Sequence, residues 1–276
     1  MAPSKQVSQE ICPYLRVFED GTVERYAGTE VTPAGLDSQT GVLSKDIFIT
    51  TPQTTLSARL YRPDFTNNNQ KLPVLVYYHG GAFCIASPAE PKLAPEHPLP
   101  AAYEDSWASL QWVVAHADGG TEEWLESYTD FRQVFLAGDS AGANITHHLA
   151  LRMKDSNQQG SNMKKVQGIA IIHPYFWGKD PIGEEGNDSL RKSMVDNWWM
   201  FVCPSNKGCD DPYINPFMKE AQVLKAWLVR VCLFWLQRKT YCVKEGSFIT
   251  KICEKWVARK SRDSGDKRRR SCFSYF

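Results

Sequence analysis

Val134-Phe-Leu-Ala-Gly-Asp-Ser-Ala-Gly-Ala-Asn-Ile-Thr-His-His-Leu149 passes from a short apolar run through two glycines into a helical pattern. Four apolar residues end at Ala137, and a helix is expected from about Ala143 to Arg152. Between them stands Gly138-Asp-Ser-Ala-Gly142, a G-x-S-x-G pattern in a strand, sharp turn and helix context. That context marks Ser140 as a candidate nucleophile. Gly138 and Gly142 let the turn take a strained backbone and keep side chains off the hydroxyl. The helix N-terminus behind it favours developing negative charge.

Outward from this point, Leu72–Tyr78 and Val166–Ile172 are nearly continuous in apolar residues, as strands covered on both faces should be. A helical pattern occupies Ala102 to Ala115. Buried strands alternating with helices predict an α/β fold with a mostly parallel sheet flanked by helices. Nearer the start, Leu15–Tyr26 alternates around Asp20-Gly21, a hairpin signal. Asp46–Thr50 and Leu56–Tyr61 read as a second strand pair. His79-Gly-Gly-Ala-Phe83 follows the strand 72–78. A glycine pair at a strand end frees backbone N–H groups for an oxyanion hole. Gly80, Gly81 and Ala141 are the expected donors, with Ala82 and Asp139 as further motif residues.

Composition narrows the classes. The chain has 276 residues, 42% hydrophobic and 12% aromatic, enough for a sizeable core. No signal peptide or membrane span is expected, since the longest apolar run, Val223 to Leu236, is cut by Lys225 and Arg230. The 8 cysteines show no C-x-x-C pair or regular spacing, so neither a metal site nor a disulfide framework is expected. A reducing cytoplasmic location, with the nucleus open to it, is the expectation. Net charge is +1, yet residues 219–276 hold fifteen Lys and Arg against five Asp and Glu.

His79-Gly-Gly-Ala-Phe83, Leu93-Ala-Pro-Glu-His97, Gly138-Asp-Ser-Ala-Gly-Ala-Asn144 and His173-Pro-Tyr-Phe-Trp177 resemble plant carboxylesterases of the hormone-sensitive-lipase-like group. The resemblance covers about residues 10 to 216 and implies an α/β-hydrolase fold acting on small acyl esters, without cofactor or metal. It also implies that His79 shapes the oxyanion loop and is not the base. Trp198 and Trp199 would belong to a cap lining the acyl or alcohol pocket, with at least one packed in the core.

The sequence departs from that family in two places. A triad on this fold runs Ser, Asp, His along the chain, yet the last histidine is His173. His147 and His148 lie on the helix leaving the elbow, too far from the hydroxyl. Read in shifted frames after Lys219 and again after Ser261, however, the tail can spell segments similar to the family's last strands. The acid then falls across Lys239 and Thr240, and the histidine across Ser271 and Cys272. The expectation is an α/β-hydrolase domain over 1–218 and an out-of-frame tail over 219–276 without native structure. The tail's basic charge then implies no nucleic-acid or membrane partner. Between Ala86 and Leu93, moreover, six residues replace a helix and a buried strand. A parallel crossover needs about ten to twelve residues, so an incomplete sheet and low stability are expected.

The leading expectation is a serine esterase, nearly inactive for want of a base and acid. Three other readings stand beside it. One is a non-catalytic binding protein like the gibberellin receptors of the same fold, another a pseudogene product. The third is a dehydratase, which Ser140 disfavours because such relatives carry threonine at the elbow.

Overall fold

The computed structural model describes residues 5–52, 55–64, 71–85, 93–158, 166–182, 187–218 and 231–235, with backbone alone for 154–158 and 231–235. Its centre is a four-stranded, wholly parallel sheet. The strands are β7 (Leu72–Tyr78), β8 (Thr129–Asp139), β9 (Val166–Ile172) and β10 (Val231–Trp235), in spatial order β10-β9-β8-β7. Between them run α1 (Ala101–Ala115), the short α2 (Glu123–Tyr128) and α3 (Ala141–Gln158). The boundaries fall close to those read from apolar periodicity.

Helix α3 packs on β8 and β9 and also against α1. Its buried Ile145, Leu149 and Met153 recur every four residues, which puts them on one face. They meet Leu136 and Ile171 from the sheet and Leu110 from α1 in a single core. Helix α4 (Ser189–Val202) closes that core with Val195, Trp198, Trp199 and Val202. It begins at Asp188, whose carboxylate caps the Arg191 N–H at 2.9 Å.

The N-terminal residues form two antiparallel sheets. One joins β1 (Val7–Ile11), β2 (Leu15–Phe18) and β3 (Val23–Arg25), with the β2–β3 turn at Asp20-Gly21 as expected and Gly21 at φ 80°. The other joins β4 (Leu36–Asp37), β5 (Val42–Thr50) and β6 (Thr55–Pro63).

One expectation is corrected. Strand β7 is not covered on both faces: its burial alternates, and Leu75 and Tyr77 are 58% and 51% exposed. It is an edge strand, unpaired with β6, because nothing described lies between the two sheets. A cleft of about 840 Å³ separates them, with Ile47, Ile49 and Leu60 on one side and Val74, Val76 and Val113 on the other. The residues at issue, 86–92, lie outside those described, but Ile85 and Leu93 at their two ends both line the cleft. Residues 231–235, inside the segment expected to lack native structure, pair with β9 from Gly168 to Ile172. Val-Cys-Leu-Phe-Trp is an unbroken apolar run, which suits a strand added beside an apolar neighbour.

Candidate active site

Strand β8 ends at Asp139 and α3 starts at Ala141, so Ser140 alone makes the turn, at φ 49°. A serine held there carries strain of about 1–3 kcal/mol, sustained only if its surroundings fix it. Its N–H donates to the Ile172 carbonyl at 2.9 Å, and its own carbonyl accepts from Asn144 N (3.1 Å) and Tyr175 N (2.9 Å). The backbone is thus held from β9, α3 and the loop after β9. Among the described residues the Ser140 hydroxyl has no hydrogen-bond partner.

The two glycines of the elbow are required by close approach. A Cβ on Gly138 would stand 2.3 Å from the Gly142 carbonyl oxygen, and one on Gly142 would stand 1.9 Å from the Tyr78 oxygen. Helix α3 can therefore enter directly over the ends of β7 and β8.

The turn after β7 is held by Asp139. Its Oδ1 accepts from Gly80 N–H at 2.8 Å and from the Tyr77 hydroxyl at 2.7 Å. That corrects the expected donor set, since the Gly80 N–H is already engaged. Gly81, Ala82 and Phe83 then follow with φ of 114°, 47° and 63°. Among the described residues the N–H groups of Gly81, Ala82 and Ala141 have no acceptor. Ala82, singled out only as part of the motif, thereby becomes a candidate donor. The signal that could have found it is the acidic residue at 139, able to reach back for one N–H of the turn.

All 6 histidines are described. His79 is exposed and its Nδ1 bonds the Gly80 carbonyl at 2.6 Å, so that nitrogen carries the proton and the ring braces the turn. His116 is engaged at both nitrogens, with the Trp112 carbonyl and the Glu122 N–H. His148 bonds the Tyr213 carbonyl at 2.8 Å, and burial depresses its pKa to about 4. Burial also holds the His147 pKa well below the ordinary imidazole value, with His148 beside it adding to the effect. His97 lies exposed in the loop before α1. His173 follows β9 next to the elbow, in register just beyond the Asp139–Ile172 pair. Burial lowers its pKa, and the Asp139 charge opposes that. The positions expected to conceal an acid and a base, Lys239, Thr240, Ser271 and Cys272, lie outside the described residues.

Trp198 and Trp199 are both core residues. Trp199 is fully buried and donates to the Gly208 carbonyl at 2.9 Å. Trp198 donates to Cys84 Sγ at 3.1 Å, bringing α4 over the oxyanion turn. Phe83, at the crest of that turn, packs its ring against Tyr103, Tyr175 and Trp199. Among the described residues no three His, Cys, Asp or Glu side chains cluster as a metal site would need, and no helix is long and apolar enough to cross a membrane.

A strained serine at a strand-to-helix turn, facing a loop with free N–H groups, can attack a carbonyl and stabilise the resulting oxyanion. The α/β-hydrolase-fold family matches residues 89–240, a range that runs past Met218. The chain is 54% identical to a probable carboxylesterase 2 of Arabidopsis thaliana, over 77% of this chain and 72% of that protein. It is 41% identical to a 2-hydroxyisoflavanone dehydratase of Glycyrrhiza echinata, over 77% of this chain and 73% of that one. Among solved structures it is similar to a hyperthermophilic esterase from Pyrobaculum calidifontis. There the TM-score is 0.51 and the identity 25%, over 63% of this chain and 61% of that one.

Proposed function

This chain belongs to the α/β-hydrolase family, among the plant carboxylesterases, and from that premise we propose that it acts on small acyl esters through Ser140. The observation that carries the reading is the Ser140 turn itself, strained at φ 49° between β8 and α3. Ser140 Oγ attacks the ester carbonyl, and the tetrahedral oxyanion is met by the N–H groups of Gly81, Ala82 and Ala141. Collapse expels the alcohol and leaves an acyl-serine, which water then hydrolyses. In both steps a base must take a proton from the attacking oxygen and return it to the departing one.

Five of the histidines are engaged with backbone, buried, or in the exposed loop before α1, and this supports slow turnover. Without a base, the oxyanion hole and binding still sustain about 10³–10⁴-fold over water. Hydrolysis of p-nitrophenyl butyrate and labelling by a fluorophosphonate probe test the proposal. Labelling that vanishes in Ser140→Ala is the expected result. Hydrolysis unchanged in Ser140→Ala would overturn it.

The similarity to a dehydratase supports a second reading, proton abstraction from a hydroxylated flavonoid-like substrate at the same loop. Water loss from 2-hydroxyisoflavanone that persists in Ser140→Ala would favour that reading over the esterase.

A further inference from the structure

Arg25 is the last residue of β3 in the N-terminal sheet, and its side chain is only 15% exposed. It points to the same side as Val23, toward the body of the molecule, where an apolar residue would ordinarily sit. Burying a guanidinium there costs free energy unless its donors are satisfied. Nε donates to the Cys84 carbonyl at 2.8 Å, and Nη2 to the Ala94 carbonyl at 3.0 Å. Nη1 and Nη2 form a two-pronged pair with Glu96, at 2.8 and 2.6 Å. A side chain from one sheet thus grips the point where the chain leaves the oxyanion turn and the point where it returns.

The consequence follows from peptide planarity. The Cys84 carbonyl held by Arg25 and the Ile85 N–H belong to one rigid peptide unit. The Ile85 N–H donates to the Gly81 carbonyl at 2.9 Å, and Cys84 N–H donates to the same oxygen at 3.0 Å. The Gly81 carbonyl in turn shares its plane with the Ala82 N–H, which points the opposite way. Two rigid planes in series therefore join the Arg25 guanidinium to the Ala82 N–H. Asp139 fixes the other end of the turn through Gly80.

We infer that Arg25 is a positioning residue, which sets the direction of the Ala82 N–H from the N-terminal sheet. The inference rests on the reading of Ser140 as nucleophile for its catalytic consequence, though not for the clamp itself.

The test compares wild type, Arg25→Lys and Arg25→Met, with Glu96→Gln as a milder variant that leaves both carbonyl contacts in place. Hydrogen exchange in peptides covering residues 79–85 reads the clamp, and the rate and affinity of fluorophosphonate labelling read its effect. In Arg25→Met, exchange should rise at 79–85 and not in β8 or β9. The maximal labelling rate should fall on the order of a hundredfold, as for a misplacement of about 1 Å, with probe affinity unchanged. Arg25→Lys should recover part of the rate by donating to one carbonyl, and Glu96→Gln should lose least. Wild-type exchange at 79–85 in Arg25→Met would overturn the inference. So would a variant that merely lowers the amount of labelled protein at an unchanged rate, since that is loss of fold. If wild type itself does not label, the Ser140 reading fails, and the exchange data alone uphold or refute the clamp.

Discussion

Asn144 lies fully buried one turn along α3 from Ser140, and its amide joins three segments. Its Oδ1 accepts from the Tyr103 hydroxyl at 2.7 Å, and its Nδ2 donates to the Tyr175 and Tyr213 carbonyls, each at 2.8 Å. Asn144→Ala would strand those partners away from water, at about 1–3 kcal/mol for each group left unsatisfied. The urea midpoint should fall by a corresponding amount. His148, two turns from the elbow, makes stability depend on pH. Its folded pKa of about 4 is below the unfolded value, so the unfolded chain binds the proton first. Its contribution is full above about pH 6.5 and fades as pH falls toward 4, by roughly 1.4 kcal/mol per pH unit. His147, shifted the same way, adds to the loss. Denaturation midpoints at pH 7 and pH 5 measure the slope, and His148→Gln should flatten it. The elbow was legible in sequence because strand, turn and helix are contiguous there. The Arg25 clamp was not, because its partners lie 59 to 71 residues away and an arginine in an alternating strand reads as a surface charge.

At the scale of elements, periodicity located β6, β7, β9 and α1 to within two residues, while β5 starts four residues earlier and α3 ends six residues later than read. What covers a strand is not written in its own side chains. Strand β7 reads as doubly buried because Leu-Pro-Val-Leu-Val-Tyr-Tyr has apolar residues on both faces, yet Leu75 and Tyr77 on its outward face are 58% and 51% exposed, the Tyr77 hydroxyl reaching Asp139. Leu75→Thr should therefore change the unfolding free energy by no more than about 0.5 kcal/mol, as for an ordinary surface position. The same replacement at Val134, wholly buried in β8, should be far more costly. A Leu75→Thr loss comparable to Val134→Thr would mean that the outer face of β7 is covered in solution. Strand β10 is the converse case: Val231–Trp235 is an unbroken apolar run, but the tail around it matches no expected element.

Over the whole molecule, these uncovered faces are one defect seen from several sides. Strand β6 exposes Tyr61, at 66%, and β7 exposes Leu75 and Tyr77, all three lining the cleft between the two strands. A continuous sheet would pair the edges of β6 and β7 through an intervening strand. Among the described residues neither edge has a strand partner, and unpaired edges beside apolar side chains are a template for association. The β4–β5–β6 sheet is thus poorly coupled to the parallel core, and the chain should not unfold in one step. Heating the purified protein should give a broad transition, with the β4–β5–β6 sheet lost before β8, β9 and α3 as followed by hydrogen exchange. Replacing residues 86–92 with a longer segment that supplies the expected helix and strand should merge the two phases and raise the midpoint, because the same apolar faces would then be buried. A single sharp transition of the unaltered chain within the usual range of about 45–65 °C would refute this. The cleft would then be filled or closed in solution, and β6 and β7 would behave as interior strands.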